Sequence, residues 1–312
     1  MDKIQTYEYN LEKIDSSLMI SVWLRVIRVR FLLASIIAVS VGLALHWSQN
    51  GSIDYLDIIL TFAGVLALHA SVDLLNDYWD FKRGIDTKTT RTKMSGGTGV
   101  LPEGLLKPSS VYRAGVIFLI IGSLIGSYFV ITNGILIAII LGFAILSIYF
   151  YSTKIVDSGL GEFFVAVKGS MIVIGTFFIQ SGEVTVESIL AGIIIGTLSS
   201  LVLFIASFPD HDADKSKGRK TLVIIVGKKK AVKLFWLFPL VSYVIILIGV
   251  SVNLFPFLSL ISLLSFPLMI KSGLGLQKNY DAIDNLVPFM SSTLQFSRLT
   301  GILFALSFLI PF

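Results

Sequence analysis

The chain has 312 residues, 54% of them hydrophobic and only 14% charged, with a mean hydropathy of +0.85. Soluble domains carry roughly 25% charged residues, so the composition excludes an ordinary soluble fold and points to a membrane protein. The lack of cysteine excludes disulfides, thiolate metal sites and cysteine nucleophiles, and the net charge of +5 is spread between apolar runs instead of forming one basic face, which argues against a nucleic-acid partner.

Residues 1–19 hold several acidic groups and no short apolar core before a small-residue cleavage site, so they do not read as a signal peptide. Ile4, Tyr7, Leu11, Ile14 and Leu18 recur there at helical spacing. Two readings stay open for this segment: an amphipathic helix lying on the membrane surface, or a plain solvated helix. Nine apolar stretches follow, at about 29–47, 57–80, 111–131, 134–152, 161–181, 188–208, 232–252, 254–271 and 288–310. Each comes close to the ~20 residues that a helix needs to cross a bilayer. The predicted fold is all-α, a single domain over 1–312 built as a bundle of nine transmembrane helices with lipid as its surroundings.

Nine spans place successive loops on alternate sides. All of the 25 lysines and arginines except Lys168 and Arg298, which lie within spans, then fall on one side. By the positive-inside rule that side is cytoplasmic. The reading is a multi-pass cell-membrane protein with a cytoplasmic N-terminus and its C-terminus on the opposite side.

The second span ends at the cytoplasmic surface in NDYWDFKRGID, residues 76–86, and the sixth ends at the same surface in PDHDADKSKGRK, residues 209–220. Asn76 and Asp80 are four residues apart, as are Asp210 and Asp214, so each pair projects from one helix face. Carboxylates gathered at a membrane boundary repel one another, and ionisable groups there are usually functional. Magnesium would relieve that repulsion, because it takes oxygen ligands and is commonly held by one or two carboxylates together with substrate phosphates. Two acidic clusters backed by lysines and arginines therefore suit a diphosphate, and the active site is expected to open at the cytoplasmic side.

These two stretches, the second continuing into TL, resemble the paired aspartate-rich motifs of the UbiA superfamily of intramembrane prenyltransferases, whose members have nine transmembrane helices. RVIRVRFLLAS at 25–35 and YSTKIVDSGLGE at 151–162 extend the resemblance over nearly the whole chain. It is closest to the branch that prenylates 1,4-dihydroxy-2-naphthoate in menaquinone synthesis. The resemblance implies transfer of a polyprenyl chain from polyprenyl diphosphate to an aromatic acceptor, through ionisation to an allylic carbocation. It also implies that Asn76, Asp80 and Asp86 hold one Mg²⁺, with Asp77 close by, and that Asp210 and Asp214 hold another. Arg83, Lys88, Arg91, Lys93 and Lys154 would assist at the diphosphate, Tyr151 and Lys154 match a tyrosine and lysine pair near the family's active site, and Arg28 would line the cytoplasmic mouth. Two departures stand out. Gly84 stands where many members place an aspartate four residues after Asp80, with Asp86 two residues further on in a longer spacing similar to the naphthoate branch, and Asp212 is turned away from the pair around it.

His69, Asp73, Asn76 and Asp80 form one stripe on the second span. His69 and Asp73 read either as groups that bind the acceptor or take its proton, or as a structural pair between helices. Lys168, seven residues into the fifth span, could meet an anionic acceptor, pair with Glu162, or snorkel to the interface. Arg298 is expected to face the bundle interior for structural reasons. The rival functions are prenyl transfer to a glycerol-phosphate ether-lipid or tetrapyrrole acceptor, and a transporter. Against the transporter, the carboxylates cluster at one surface and do not trace a route across.

Overall fold

The computed structural model describes residues 16–86, 91–92 and 94–310. Among them every regular element is helical. The first is α1 (Ser16–Val26), whose Val22 and Val26 pack on Leu74, Val100 and Leu101, while Leu18, Ile20 and Leu24 stay exposed. The surface helix expected over 1–19 lies outside the described residues up to residue 15. α2 (Val29–Asn50), α3 (Tyr55–Lys82), α4 (Pro108–Asn133), α5 (Ile135–Phe150), α6 (Gly161–Ser181) and α7 (Val186–Ser216) follow. The last third consists of α8 (Leu222–Val226), α9 (Lys228–Leu234), α10 (Leu237–Ser251), a 3-10 segment at Phe257–Ser265, α11 (Phe266–Asn279) and α12 (Ile283–Ser307).

Eight helical runs among the described residues are long and apolar enough to cross a membrane: α2, α3, α4, α5 with its extension to Ser158, α6, α7, α9 with α10, and the 3-10 segment with α11. They match the first eight expected spans. The ninth falls on α12, whose 25 residues have the reach but include Asp284, Gln295 and Arg298, making it more polar than the others. Side chains such as Ile131, Ile135 and Phe257 stay open on the outside, as a lipid-facing surface requires.

α3 and α7 are the two longest helices among the described residues. At ~1.5 Å per residue, the 28 residues of α3 and the 31 of α7 exceed the ~30 Å of hydrocarbon, so their C-terminal turns extend past the apolar zone. Those are the turns that carry the two acidic motifs. α7 starts on a capping box, in which Thr185 accepts from the Ser188 N–H and Ser188 answers the Thr185 N–H, and it tolerates Pro209 within its last turns.

Small residues bring α6 and α7 together. A Cβ on Gly169 would sit 2.8 Å from the Gly196 Cα, and one on Gly196 would strike the Ala166 carbonyl. Such backbone approach is the usual basis of helix association in lipid. A Gly196→Ala substitution should therefore force the two helices apart at a cost of ~1–3 kcal/mol, read as a lower melting temperature in detergent. Unchanged melting would mean that the contact is slack.

The segment after α3 is clamped from outside the bundle. Arg25 donates two hydrogen bonds to Glu103, at 2.8 and 3.0 Å, and Arg91 pairs with the same carboxylate. These bonds, from Arg25 first and Arg91 next, hold the Glu103 carboxyl below its usual range. A depressed carboxyl stabilises the fold above its unfolded value, ~4.3, and that stabilisation is lost as the pH falls through the folded value. Melting temperatures should accordingly drop less on acidification in Glu103→Gln than in the parent, with the two curves converging at acid pH.

Candidate active site

A cavity of about 290 Å³ opens between α2, α3, α6, α7 and α12, with the ends of α3 and α7 at its mouth. Asn76, Asp80, Asp86, Asp210 and Asp214 all line it, so the two acidic motifs converge on one space. Arg28, His69, Asp73, Tyr151 and Lys168 line the same cavity. Four other expected site residues that the structure describes, Asp77, Arg83, Arg91 and Lys154, do not line it, for reasons visible in their contacts.

Asp77 is fully buried, and its carboxylate is already engaged: it accepts from the Thr98 N–H at 3.1 Å, the Thr98 hydroxyl at 2.8 Å and Arg28 at 3.3 Å. It anchors the loop after α3 and does not face the cavity. Arg83, expected at the diphosphate, grips Asp157 at 2.9 and 3.0 Å and reaches the Ser152 carbonyl, tying the end of α3 to the turn after α5. Lys154 points outward over the Phe150 ring, 4.8 Å from its centroid. Arg91 belongs to the Glu103 clamp. Lys88 and Lys93 lie outside the described residues. Asp212 is exposed and bonded to His211 at 2.7 Å, consistent with its being turned away.

Arg219 is the residue that sequence reading did not single out. It follows α7 and is buried between the motifs, paired with Asp80 on one side and with Asp214 at 3.1 Å on the other. One guanidinium thus bridges the ends of α3 and α7, using the planar fork that suits arginine to two carboxylates. Asn76 completes the α3 side, donating to Asp80 at 3.3 Å and accepting from Ser152 at 2.7 Å. Ser152 and Tyr151 sit in a π-helical turn, Tyr151–Ile155, that widens the end of α5. Such turns often occur at functional sites.

The other missed feature is the segment Ser95–Gly99, which folds over the mouth. The Gly96 N–H donates to Asp210 at 3.3 Å. Gly97, at φ +71°, lies so close to Asp86 that any Cβ would strike its carboxylate. The glycine-rich run SGGTG was the available signal, since left-handed backbone against a side chain favours glycine.

The charges are not fully compensated. Asp86 Oδ2 and Asp210 Oδ1 are buried with no hydrogen-bond partner. Burial pushes the Asp86 carboxyl up to about 8, and the like charges of Asp80 and Asp77 add to the effect. Arg219 offsets Asp80 and Asp214, which leaves Asp86 and Asp210 facing the cavity with room for a further cation. Among the described residues no three histidine, aspartate or glutamate side chains form a ready-made metal cage, so an ion here would complete its shell with water or phosphate oxygens, as magnesium does.

Removing one partner from a buried charged group leaves the others uncompensated, at a cost of about 3–5 kcal/mol. Arg219→Met should therefore melt well below the parent in the presence of chelator, and Arg219→Lys should recover only part of the loss. Equal melting of all three would show that the bridge does not form.

The profile of the UbiA prenyltransferase family matches residues 35–293. A Bacillus subtilis (strain 168) protein named 1,4-dihydroxy-2-naphthoate octaprenyltransferase is 29% identical over 265 residues, covering 83% of this chain and 83% of its own length. The fold is shared with the apo UbiA homolog from Aeropyrum pernix K1, with a TM-score of 0.68, 17% identity and coverage of 88% of this chain and 96% of that one. It is shared as well with a UbiA homolog from Archaeoglobus fulgidus solved with GPP and Mg²⁺, with a TM-score of 0.62, 14% identity and coverage of 91% and 99%. The family match takes in both acidic motifs, the glycine-rich loop and the helices that carry them, and the chain belongs to the UbiA prenyltransferase family.

Proposed function

We propose that this prenyltransferase moves a polyprenyl chain from polyprenyl diphosphate to an aromatic acceptor in a magnesium-dependent reaction, with 1,4-dihydroxy-2-naphthoate or a related quinone precursor as the acceptor of first choice. One observation carries the donor half: Asp86 and Asp210, one from each motif, present unpartnered carboxylate oxygens at the same cavity. Support for the acceptor comes from the name of the Bacillus relative, and support for the metal from the ion in the Archaeoglobus homolog.

In this reading Asn76, Asp80 and Asp86 would hold one magnesium, and Asp210 and Asp214 a second. When bound, the ions supply positive charge against the negative charge that builds on the departing diphosphate. Arg28 and Arg219 place two guanidinium groups on the same cavity wall. Arg28 adopts a left-handed backbone, φ +54°, at the junction of α1 and α2, a conformation that costs ~1–2 kcal/mol and that its bond to Asp77 offsets. The Tyr151 ring belongs to the wall, and Phe164, Leu198, Val202 and Leu203 continue it inward. An apolar lining of this kind keeps water from an allylic cation and dissolves the isoprenoid tail.

The chain would act as one domain in the cell membrane. Counting α12 as the ninth span puts the N-terminus and the cavity mouth on the cytoplasmic face and the C-terminus on the other.

Incubation of the purified protein with labelled geranylgeranyl diphosphate, magnesium and a panel of aromatic acceptors tests the reading. Prenylated product and released diphosphate are expected, both dependent on magnesium, and Asp210→Asn should lower the rate about 100-fold or more. Transfer that persists undiminished in Asp210→Asn or under chelation would refute it.

A further inference from the structure

Deep in the bundle, a second cavity of about 130 Å³ meets the first. Ser35, His69, Val72, Ile148, Lys168 and Ile172 line both, so they form the neck between them. Beyond the neck the walls are almost wholly apolar. The neck itself is polar on one side: Ser35 comes from α2, His69 and the neighbouring Asp73 from α3, and Lys168 from α6.

Their hydrogen bonds are incomplete. His69 Nδ1 is satisfied by the Ser35 hydroxyl at 2.7 Å. His69 Nε2 stands 3.8 Å from Asp73 Oδ2, beyond hydrogen-bond range, and that buried oxygen finds no other donor. Lys168 and Asp73 line the same cavity, yet they make no ion pair within 4 Å among the described residues. Lys168 does not pair with Glu162 either; Glu162 accepts from the Leu222 N–H at 3.1 Å. A carboxylate and an ammonium that line one cavity without pairing, in an apolar bundle, are each short of a partner.

The charges restrict what that partner can be. Asp73 and Lys168 already cancel, and the neighbouring Arg28 is committed to Asp77. A group carrying another full charge would leave a net charge in low dielectric, which is costly. A neutral hydroxyl has one donor and spare acceptor lone pairs, so it can donate to Asp73 and accept from Lys168 at once. The flanking Val72, Ile148 and Ile172 offer apolar surface to the ring that bears it. Asp73 lies seven residues inward of Asp80, ~10 Å along α3, the span of a one- or two-ring arene reaching back toward the diphosphate.

We infer that Asp73 and Lys168 are the recognition groups for a neutral ring hydroxyl of the acceptor, and that binding does not require the ring to bear a carboxylate as well. The inference rests on the prenyl-transfer reading for its context and deepens it by naming what the acceptor must carry.

Three probes isolate the hydroxyl: 1-naphthol, 1-methoxynaphthalene and 1-hydroxy-2-naphthoate, each titrated into the full-length protein in detergent without donor or magnesium. The parent should bind 1-naphthol at least about 10-fold more tightly than the methyl ether, because hydrogen bonds to charged groups are lost with the proton. The carboxylated probe should bind no more than about 10-fold more tightly than 1-naphthol. Asp73→Asn and Lys168→Met should each reduce the preference for naphthol over ether. Parent protein that binds naphthol and ether alike, or that binds only the carboxylated probe, overturns the inference, and neither outcome depends on the variants folding. Diphosphate release and product formation with geranylgeranyl diphosphate and magnesium are scored separately. Their absence in the parent would refute prenyl transfer, while transfer to the ether as readily as to naphthol would refute only the hydroxyl site.

Discussion

Carboxylates gathered at one end of an apolar bundle repel one another, and the fold has to hold them together before any substrate arrives. Arg219 does so by pairing with Asp80 and Asp214 at once. Smaller contributions come from the Gly96 N–H to Asp210, and from Asn76, which passes Asp80's hydrogen bonding on to Ser152. The remaining deficit, at Asp86 and Asp210, gives the cavity its appetite for cations. A site fully satisfied by its own side chains would have little to gain from a metal or from a ligand that brings one.

The surrounding helices make that arrangement rigid. Close packing of α6 on α7 through Gly169 and Gly196 fixes one wall, and the excess length of α3 and α7 carries their acidic ends past the apolar zone. Arg83 then fastens the end of α3 to the π-helical turn that holds Tyr151 and Ser152. Asp77, packed under Thr98, pins the loop that covers the mouth. Several charged groups close to the site therefore act on the scaffold, and the cavity is left to the rest.

That division explains what could be read from the sequence. Helical spacing within NDYWDFKRGID and PDHDADKSKGRK identified Asn76, Asp80, Asp210 and Asp214 as groups sharing a face, and all four line the cavity. The stripe through His69 and Asp73 held for the same reason, because a helix keeps its register over several turns. Asp86 also reached the cavity despite its irregular spacing. Periodicity carried no information about partners distant in sequence. Arg219 looked like one of many cytoplasmic cations, and only the approach of α3 to α7 distinguishes it. In the same way, Asp157 claims Arg83 and Glu103 claims Arg91, pairings between residues 74 and 12 positions apart respectively. Lys154, placed near the site by its resemblance to a family lysine, is exposed on the π-helical turn after α5. The expected ninth span, α12, is more polar than the others because Ser297 and Arg298 also line the cavity.

Everything functional in this account follows from the union of the two acidic helix ends through one guanidinium. A double-mutant cycle on melting in detergent tests that union most directly, using Asp80→Asn, Arg219→Met and the combined variant. The bridge predicts strong coupling, with the double variant losing less than the sum of the single losses by about 1–3 kcal/mol. Additivity to within about 0.5 kcal/mol would contradict it, because Asp80 and Arg219 would then be acting at separate places.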